Sequence, residues 1–304
     1  MNNITVSIFM LTYNQEQFIA QTIESIVMQK TNFKYQLVIG EDCSTDATYS
    51  ICKSFEEQYS DKIKLLPAQS KNIGLINNYV RTIKECNGKY IAICDGDDYW
   101  IDENKLQKQV DFLEANSDYS IVYTGFNKLY PDGTLKKATL SFTNQESSFT
   151  DLIYNNYIPS VTVLFRNNKD FSKLPTWITN FPYGDWPTYL WLIKDEGKIY
   201  FLDEVTAVYR MDIGISSAIV KVNSALLNVN LGILNFMLND ADFENRKALI
   251  RQVISEKKNS LMTSYNREKA YIKGLKQLGH NFMKNENKFA VIKLYFYSLY
   301  KSFT

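Results

Sequence analysis

Asp95-Gly96-Asp97-Asp98 closes the apolar run from Lys89 to Cys94. Three carboxylates in four positions repel one another, and an oxygen-ligated divalent cation is the usual reason to keep them together. Mg2+ or Mn2+ shared with phosphate oxygens needs only one or two protein carboxylates. Alternation along an extended segment would put Asp95 and Asp97 on one side and Asp98 on the other, and Gly96 would let a ligand approach the backbone. The competing explanation is an acidic cap for a helix at 103–115, but a cap needs one carboxylate and not three. Two further polar clusters end apolar runs, Thr12-Tyr13-Asn14 and Glu41-Asp42-Cys43-Ser44-Thr45-Asp46. Clusters at successive strand ends outline one site. The single histidine, His280, excludes a Ser-His-Asp triad in the body of the chain and an H-E-x-x-H metal site anywhere, so a general base here must be another group, a carboxylate by default.

These clusters need elements that carry them to one edge. Residues 4–11 read as a strand, and 15–29 as a helix with Phe18, Ile19, Ile23, Ile26 and Val27 at helical spacing. A strand at 35–40 leads into a helix carrying Ala47, Ile51, Phe55 and Tyr59 on one stripe, then come a strand at 62–66, a helix at 76–86 and a strand at 89–94. Alternating strands and helices with short connections imply a parallel sheet with right-handed crossovers, whose ligands bind at the carboxyl ends of the strands. Beyond a helix at 103–115 and a strand at 119–126, Tyr130-Pro131-Asp132-Gly133 reads as a hairpin turn, followed by strands at 160–165 and 198–209 and a helix near 186–196. From about residue 218 onward the pattern is helical.

Composition narrows the class. A chain of 304 residues with 45% hydrophobic and 22% charged side chains is globular, with room for one large α/β domain and an appendage or for two modest domains. Cys43, Cys52, Cys86 and Cys94 show no C-x-x-C spacing, which argues for free thiols rather than a zinc site. No basic segment precedes the short apolar run Val6 to Leu11, which fits neither a signal peptide nor a membrane span, so the expected location is cytoplasmic. The net charge of +1 hides an asymmetry: from Arg246 onward thirteen Lys or Arg face three Glu, leaving the preceding residues near −9. A basic tail on an acidic body suits a polyanion, an anionic membrane face, another subunit or simply a solvated helical face.

In order and spacing, "VSIFMLTYNQEQFIAQTIESI", "EDCSTDAT", "KNIGLINN" and "DGDDYW" resemble the donor half of family 2 glycosyltransferases of the A-type fold, over roughly residues 4–126. The resemblance implies a Rossmann-like α/β fold with a mostly parallel central sheet, a nucleotide-diphospho-sugar donor, Mn2+ or Mg2+, and inversion by a single displacement. It implies that Thr12, Tyr13 and Asn14 surround a uracil base, with Glu16 just beyond, and that Asp42 accepts a hydrogen bond from the base, with Ser44 and Asp46 opening the next helix. Lys71, Asn72 and Gly74 match the region near the nucleotide and ribose. Asp95 would hold the ribose or the metal's water shell, and Asp97 the metal itself. Further on, Tyr183-Gly184-Asp185-Trp186-Pro187 is similar to the segment where the family places an acidic residue opening an acceptor-side helix. Asp185 is thus the candidate general base, although the same residues suit a plain helix start with Pro187 in the first turn. Tyr209-Arg210-Met211-Asp212 resembles the family's Y-R-x-H segment with Asp in place of His, which makes Asp212 a candidate metal ligand and Arg210 a candidate clamp for the leaving diphosphate.

The expected organisation is a catalytic domain at 1–217, divided into a donor half at 1–126 and an acceptor half at 127–217, and a helical basic region at 218–304. The expected acceptor is a hydroxyl of a glycan or lipid-linked glycan in surface polysaccharide synthesis, with no role for nucleic acid. A nucleotidyltransferase would place acidic residues similarly, but Thr12-Tyr13-Asn14-Gln15 is not a Gly-rich phosphate loop. A sugar-binding module that has lost catalysis and a glycoside hydrolase also compete, and the hydrolase has no need of nucleotide clusters. In the last segment Phe289, Ile292, Phe296, Leu299 and Phe303 are spaced as an a/d stripe with Lys293 and Lys301 off it, which predicts a helix docked on the body, on a second copy or on an anionic membrane at its inner face.

Overall fold

The structure is a computed structural model, in which residues 4–139, 144–213, 222–284 and 287–303 are described. The chain folds as two compact units, Met1–Gly214 and Ile215–Thr304.

The first unit is built on one sheet. Strand β1 (Val6–Thr12) is buried along its whole length, as a strand covered on both faces must be, and its near-continuous apolar sequence reflects this. It lies between β2 (Tyr35–Glu41) and β4 (Tyr90–Ile93), parallel to both, and β3 (Ile63–Leu65) extends the parallel set beyond β2. Helices α1 (Ile19–Val27), α2 (Thr48–Gln58) and α3 (Leu75–Ile83) are the crossovers, and α1 turns Ile19, Thr22, Ile23 and Ile26 inward. The chain continues through β5 (Tyr99–Trp100), α4 (Lys105–Ala115), β6 (Tyr119–Leu129), β7 (Leu135–Lys137), β8 (Glu146–Ser147), α5 (Phe149–Leu152), β9 (Leu164–Arg166), α6 (Asp185–Leu192) and β10 (Lys198–Arg210).

Among the described residues the sheet order is β3-β2-β1-β4-β9-β6-β10-β5, with β7 beside β6 and β8 beside β10. Strand β9 runs antiparallel between β4 and β6, while β6 and β10 are parallel to each other. The expected strand at 160–165 begins later, because Ser160–Thr162 forms a 3-10 turn after Pro159. The expected hairpin forms, with the Gly133 amide donating to the Tyr130 carbonyl at 2.9 Å and β7 pairing with β6. Lys105 is fully buried beneath this layer. Its Nζ donates to Gln109 Oε1 at 2.7 Å and lies 4.4 Å from the centroid of the Trp100 ring, which offsets part of the cost of burying a charge. Burial nonetheless pulls its ammonium down to about 7.

The second unit is helical over Asn223–Asn239, Lys247–Arg267, Tyr271–Lys284 and Lys288–Lys301. The last helix corrects the expected stripe. Val291, Tyr295 and Ser298 are its buried line, packed at Met262 and fixed by a 2.8 Å hydrogen bond from Asn266 Nδ2 to Ser298 Oγ. Phe289, Phe296 and Phe303 face solvent instead. The helix is apolar almost all round, so spacing matched more than one side, and the polar Asn266-Ser298 pair selected the register. Among the described residues, no helix is long and apolar enough to cross a membrane.

Candidate functional site

The three polar clusters do meet at the carboxyl edge of β1, β2 and β4. The Asp42 amide donates to the Thr12 carbonyl at 3.1 Å, and the Gly96 amide to the Leu11 carbonyl at 2.9 Å. The two loops after β1 and β2 are interlocked. Asn14 N donates to Ser44 Oγ at 2.9 Å, Thr45 N to Asn14 Oδ1 at 2.8 Å, Gln15 N to Thr48 Oγ1 at 2.8 Å and Ala47 N to Glu16 Oε2 at 2.8 Å, while Glu16 N reaches Asp46 Oδ2 at 3.2 Å. Asn14 and Cys43 hold left-handed φ of 51° and 60° to make these turns. Tyr13, next to Asn14 in the first loop, is 40% exposed.

Asp42 is buried and spends both oxygens on the loop before α3, accepting from Ile73 N and Gly74 N at 2.9 Å each. Asn72 joins them, its Oδ1 accepting from Gly74 N and its Nδ2 donating to the Asp42 carbonyl at 3.1 Å. Gly74, with φ of 85°, supplies a bend that a side chain would strain. Lys71 stands exposed at the rim. Glu41 belongs to the same cluster but had no role assigned from the sequence; its buried carboxylate accepts from Cys43 N and Ser44 N and so shapes the turn that carries Ser44.

After β4 the chain turns rather than continuing extended, with the Asp98 amide donating to the Asp95 carbonyl at 3.0 Å. The expected strand alternation therefore does not govern these carboxylates. Asp98 is buried and accepts from the main-chain amide of Arg210 at 2.9 Å, while Thr22 Oγ1 donates to the Asp98 carbonyl at 2.6 Å. Gly96 has a different task from the one expected. A Cβ there would lie 2.5 Å from Gln15 Oε1 and 2.8 Å from Thr12 Oγ1, so its missing side chain makes room for the β1 loop and not for a ligand.

Asp95 and Asp97 are the half-buried, accessible members of the set. Burial first, then the neighbouring carboxylates of Asp97 and Asp185, push Asp95 up to about 7. Burial also raises Asp97, against the pull of nearby Arg210. One oxygen of Asp95 is buried without a hydrogen-bond partner, and the other accepts from Ser160 Oγ at 3.5 Å. An unsatisfied carboxylate oxygen beside a second carboxylate fits a hard divalent cation, which would neutralise both. Among the described residues no three His, Cys, Asp or Glu side chains are already gathered as a metal site. Strand β10 ends at Arg210, and Asp212 sits on the exposed turn beyond it with φ of 62°.

Arg210 is likewise engaged elsewhere. Only 7% exposed, its guanidinium lies between the rings of Phe18 and Tyr99, 4.7 and 4.8 Å from their centroids, and donates to the Asp97 carbonyl and to Gln21 Oε1. It braces the acidic turn instead of lying open to a diphosphate.

Asp185 begins α6 and is half-buried. Burial raises its carboxyl, opposed by hydrogen bonds from the Trp186 amide and from Asn156, whose Nδ2 donates to Asp185 Oδ2 at 2.7 Å. Asn156 and Ser160 were missed in the sequence. Both lie in the irregular stretch Asn155-Asn156-Tyr157-Ile158-Pro159-Ser160, where polar residues among apolar ones were the only signal.

A family model described as glycosyl transferase family 2 matches residues 7–171. An uncharacterised protein of Mycobacterium tuberculosis is 31% identical over 208 residues, which span 67% of this chain and 58% of that protein, so the chain covers less than two thirds of that relative's length. The UDP-Glc:alpha-D-GlcNAc-diphosphoundecaprenol beta-1,3-glucosyltransferase WfaP of Escherichia coli is 30% identical over 226 residues, 70% of this chain and 80% of that one. Among solved structures, residues 1-349 of S. aureus TarS in complex with UDP-GlcNAc superpose with a TM-score of 0.66 at 16% identity, covering 98% of this chain and 90% of that one. That likeness gives the fold, the A-type glycosyltransferase fold with its mostly parallel sheet. With more than half of its length matched by the family model and the acidic turn after β4 inside the match, the chain belongs to glycosyl transferase family 2.

Proposed function

We propose that the protein transfers a sugar from a nucleotide diphosphate donor, most simply a UDP-sugar, to a hydroxyl of a glycan or lipid-linked glycan in surface polysaccharide synthesis. The carrying observation is that one short stretch reaches both carboxylates, Asn156 donating to Asp185 at the start of α6 at 2.7 Å and Ser160 donating to Asp95 at the end of β4 at 3.5 Å, which ties the second half of the unit to the acidic turn of the first. The naming of a UDP-sugar donor and a lipid diphosphate acceptor for WfaP supports the choice of substrates.

In this reading residues 1–126 bind the donor, 127–217 the acceptor, and 218–304 are an accessory basic region. The interlocked loops at Thr12 to Glu16 and Asp42 to Ser44 would flank the base, with Lys71, Asn72 and Gly74 at the ribose side. Asp97, with Asp95, would hold Mn2+ or Mg2+, whose charge would offset that gathering on the leaving diphosphate. Asp185 would take the proton of the acceptor hydroxyl as that oxygen attacks the anomeric carbon from the face opposite the diphosphate, giving inversion. A carboxyl raised toward neutral pH is a better base than an ordinary one, and the Asn156 amide holds its Oδ2 in place.

The test is thermal unfolding of the whole protein with UDP, GDP, dTDP and CDP, each with and without Mn2+. A nucleotide at 100 times its dissociation constant adds about 2.7 kcal/mol and visibly raises the midpoint. Metal-dependent stabilisation by UDP, lost in Asp97→Ala, is the expected result. No shift with any nucleotide would overturn the donor reading and favour a module without transferase activity.

A further inference from the structure

The last two helices, Tyr271–Lys284 and Lys288–Lys301, each carry two opposed ridges. The inner ridges pack on Lys247–Arg267. Asn281 Nδ2 donates to Asn259 Oδ1 at 2.9 Å, a side chain at Gly274 would strike Asn266 Oδ1, and Val291 and Tyr295 gather at Met262. The Tyr271 and Phe303 rings stack with centroids 5.6 Å apart, which joins the start of one helix to the end of the other and makes the pair antiparallel.

At 100° per residue, Ile272 and Met283 fall on the side of the first helix opposite Gly274 and Asn281. Phe289, Phe296 and Tyr300 fall opposite Val291 and Ser298 on the second. These outer residues are open to solvent, Met283 by 82% and Phe289 by 77%. Among the described residues, seven of the fifteen exposed large apolar side chains belong to this helix pair, and Phe303 just past its end is another. A soluble surface scatters such residues singly, whereas a contiguous ridge marks an interaction face.

Charge decides what covers it. From Lys269 onward the sequence has seven Lys and one Glu. Lys276 follows Ile272 by one turn and Lys293 follows Phe289 by one turn, and both are exposed, so cations border the apolar ridges directly. A second copy meeting this patch about a two-fold axis would bring lysine against lysine. An anionic bilayer surface accepts both parts: Phe and Tyr rings settle at the headgroup boundary while lysine stems reach phosphate.

We propose that this helix pair docks the protein on anionic lipid, lying in the plane of the interface. The inference does not depend on the donor reading, since its test measures lipid association and no transfer.

The experiment is co-sedimentation of the full chain with vesicles of phosphatidylcholine alone and of phosphatidylcholine containing phosphatidylglycerol, in low and high salt. Two variants accompany it, Phe289→Ser with Phe296→Ser, and Lys276→Glu with Lys293→Glu. All four positions are exposed, and matching circular dichroism melts would verify the fold. The wild type should bind the anionic vesicles at least roughly tenfold more tightly than the neutral ones, and lose that advantage in high salt. Either double substitution should weaken anionic-vesicle binding by about tenfold or more. Wild-type protein left in the supernatant with anionic vesicles in low salt would overturn the proposal, as would variants that bind like the wild type. A dimer by light scattering that Phe289→Ser with Phe296→Ser dissociates, without vesicle binding, would overturn it in favour of a second copy.

Discussion

The main-chain amide of Arg210 donates to the carboxylate of Asp98 at 2.9 Å, tying the last residue of β10 to the acidic turn after β4 across 112 positions of sequence. Of the three clustered aspartates, Asp98 is therefore the one that holds the others in place.

Asp98→Ala should cost about 1–3 kcal/mol of stability, because it leaves the Arg210 amide without its buried acceptor. Asp98→Asn, which keeps an acceptor oxygen, should fold and retain metal-dependent nucleotide stabilisation. Asp97→Asn should keep the stability and lose that nucleotide response. Denaturant titration and thermal shift on the three variants check the division of labour.

Asp95 titrates near pH 7 in the folded chain against an ordinary value of 3.8, so the folded state holds this proton more tightly than the unfolded state. The stability it contributes is complete below about pH 4 and is lost as pH rises through about 7. A cation needs the ionised form, so Mn2+ affinity should rise by close to tenfold per pH unit below about pH 7 and level off above it. Calorimetric titration with Mn2+ between pH 5 and 8 measures this, and a flat profile would remove Asp95 from the metal site. Asp97→Asn removes one of the neighbours that raise Asp95, so carboxyl NMR should find Asp95 titrating lower in that variant.

The Asn156 amide favours the ionised form of Asp185. Asn156→Ala should raise the Asp185 pKa and move the acid limb of the kcat profile to higher pH, while donor binding is unchanged. Asp185→Asn should abolish transfer and leave nucleotide stabilisation intact. Full activity in that variant would exclude Asp185 as the base.

Gly96→Ala forces a methyl group against Thr12 and Gln15. It should destabilise by about 1–3 kcal/mol and loosen the β1 loop. Chemical denaturation and hydrogen exchange at residues 12–16 read the two effects.

The parallel half of the sheet was legible because β1, β2 and β4 are continuous apolar runs ending in polar clusters, and strand ends in such sheets share an edge. Asp95, Asp97 and Asp42 could be picked out for the same reason. The turn at 95–98, however, replaces the assumed extended geometry, and nothing local to Asp98 or Arg210 announces a contact made so far along the chain. The second half was harder to read. Strand β9 is three residues long, and the residues that steady Asp95 and Asp185 lie in a stretch without periodicity. In the last helix, apolar residues on almost every side left the buried face to be chosen by tertiary hydrogen bonds.

The crossed hydrogen bonds between residues 14–16 and 44–48 fasten two loops to each other through the protein's own groups. The conformational entropy of that wall is thus surrendered when the chain folds, and a nucleotide bound there, as proposed, would meet a preformed slot. Association should then proceed as a single encounter step, with a rate that climbs linearly with nucleotide concentration and no saturating phase from loop closure. Substitutions that cut the fastening, such as Asn14→Ala, should slow capture while barely changing the bound state.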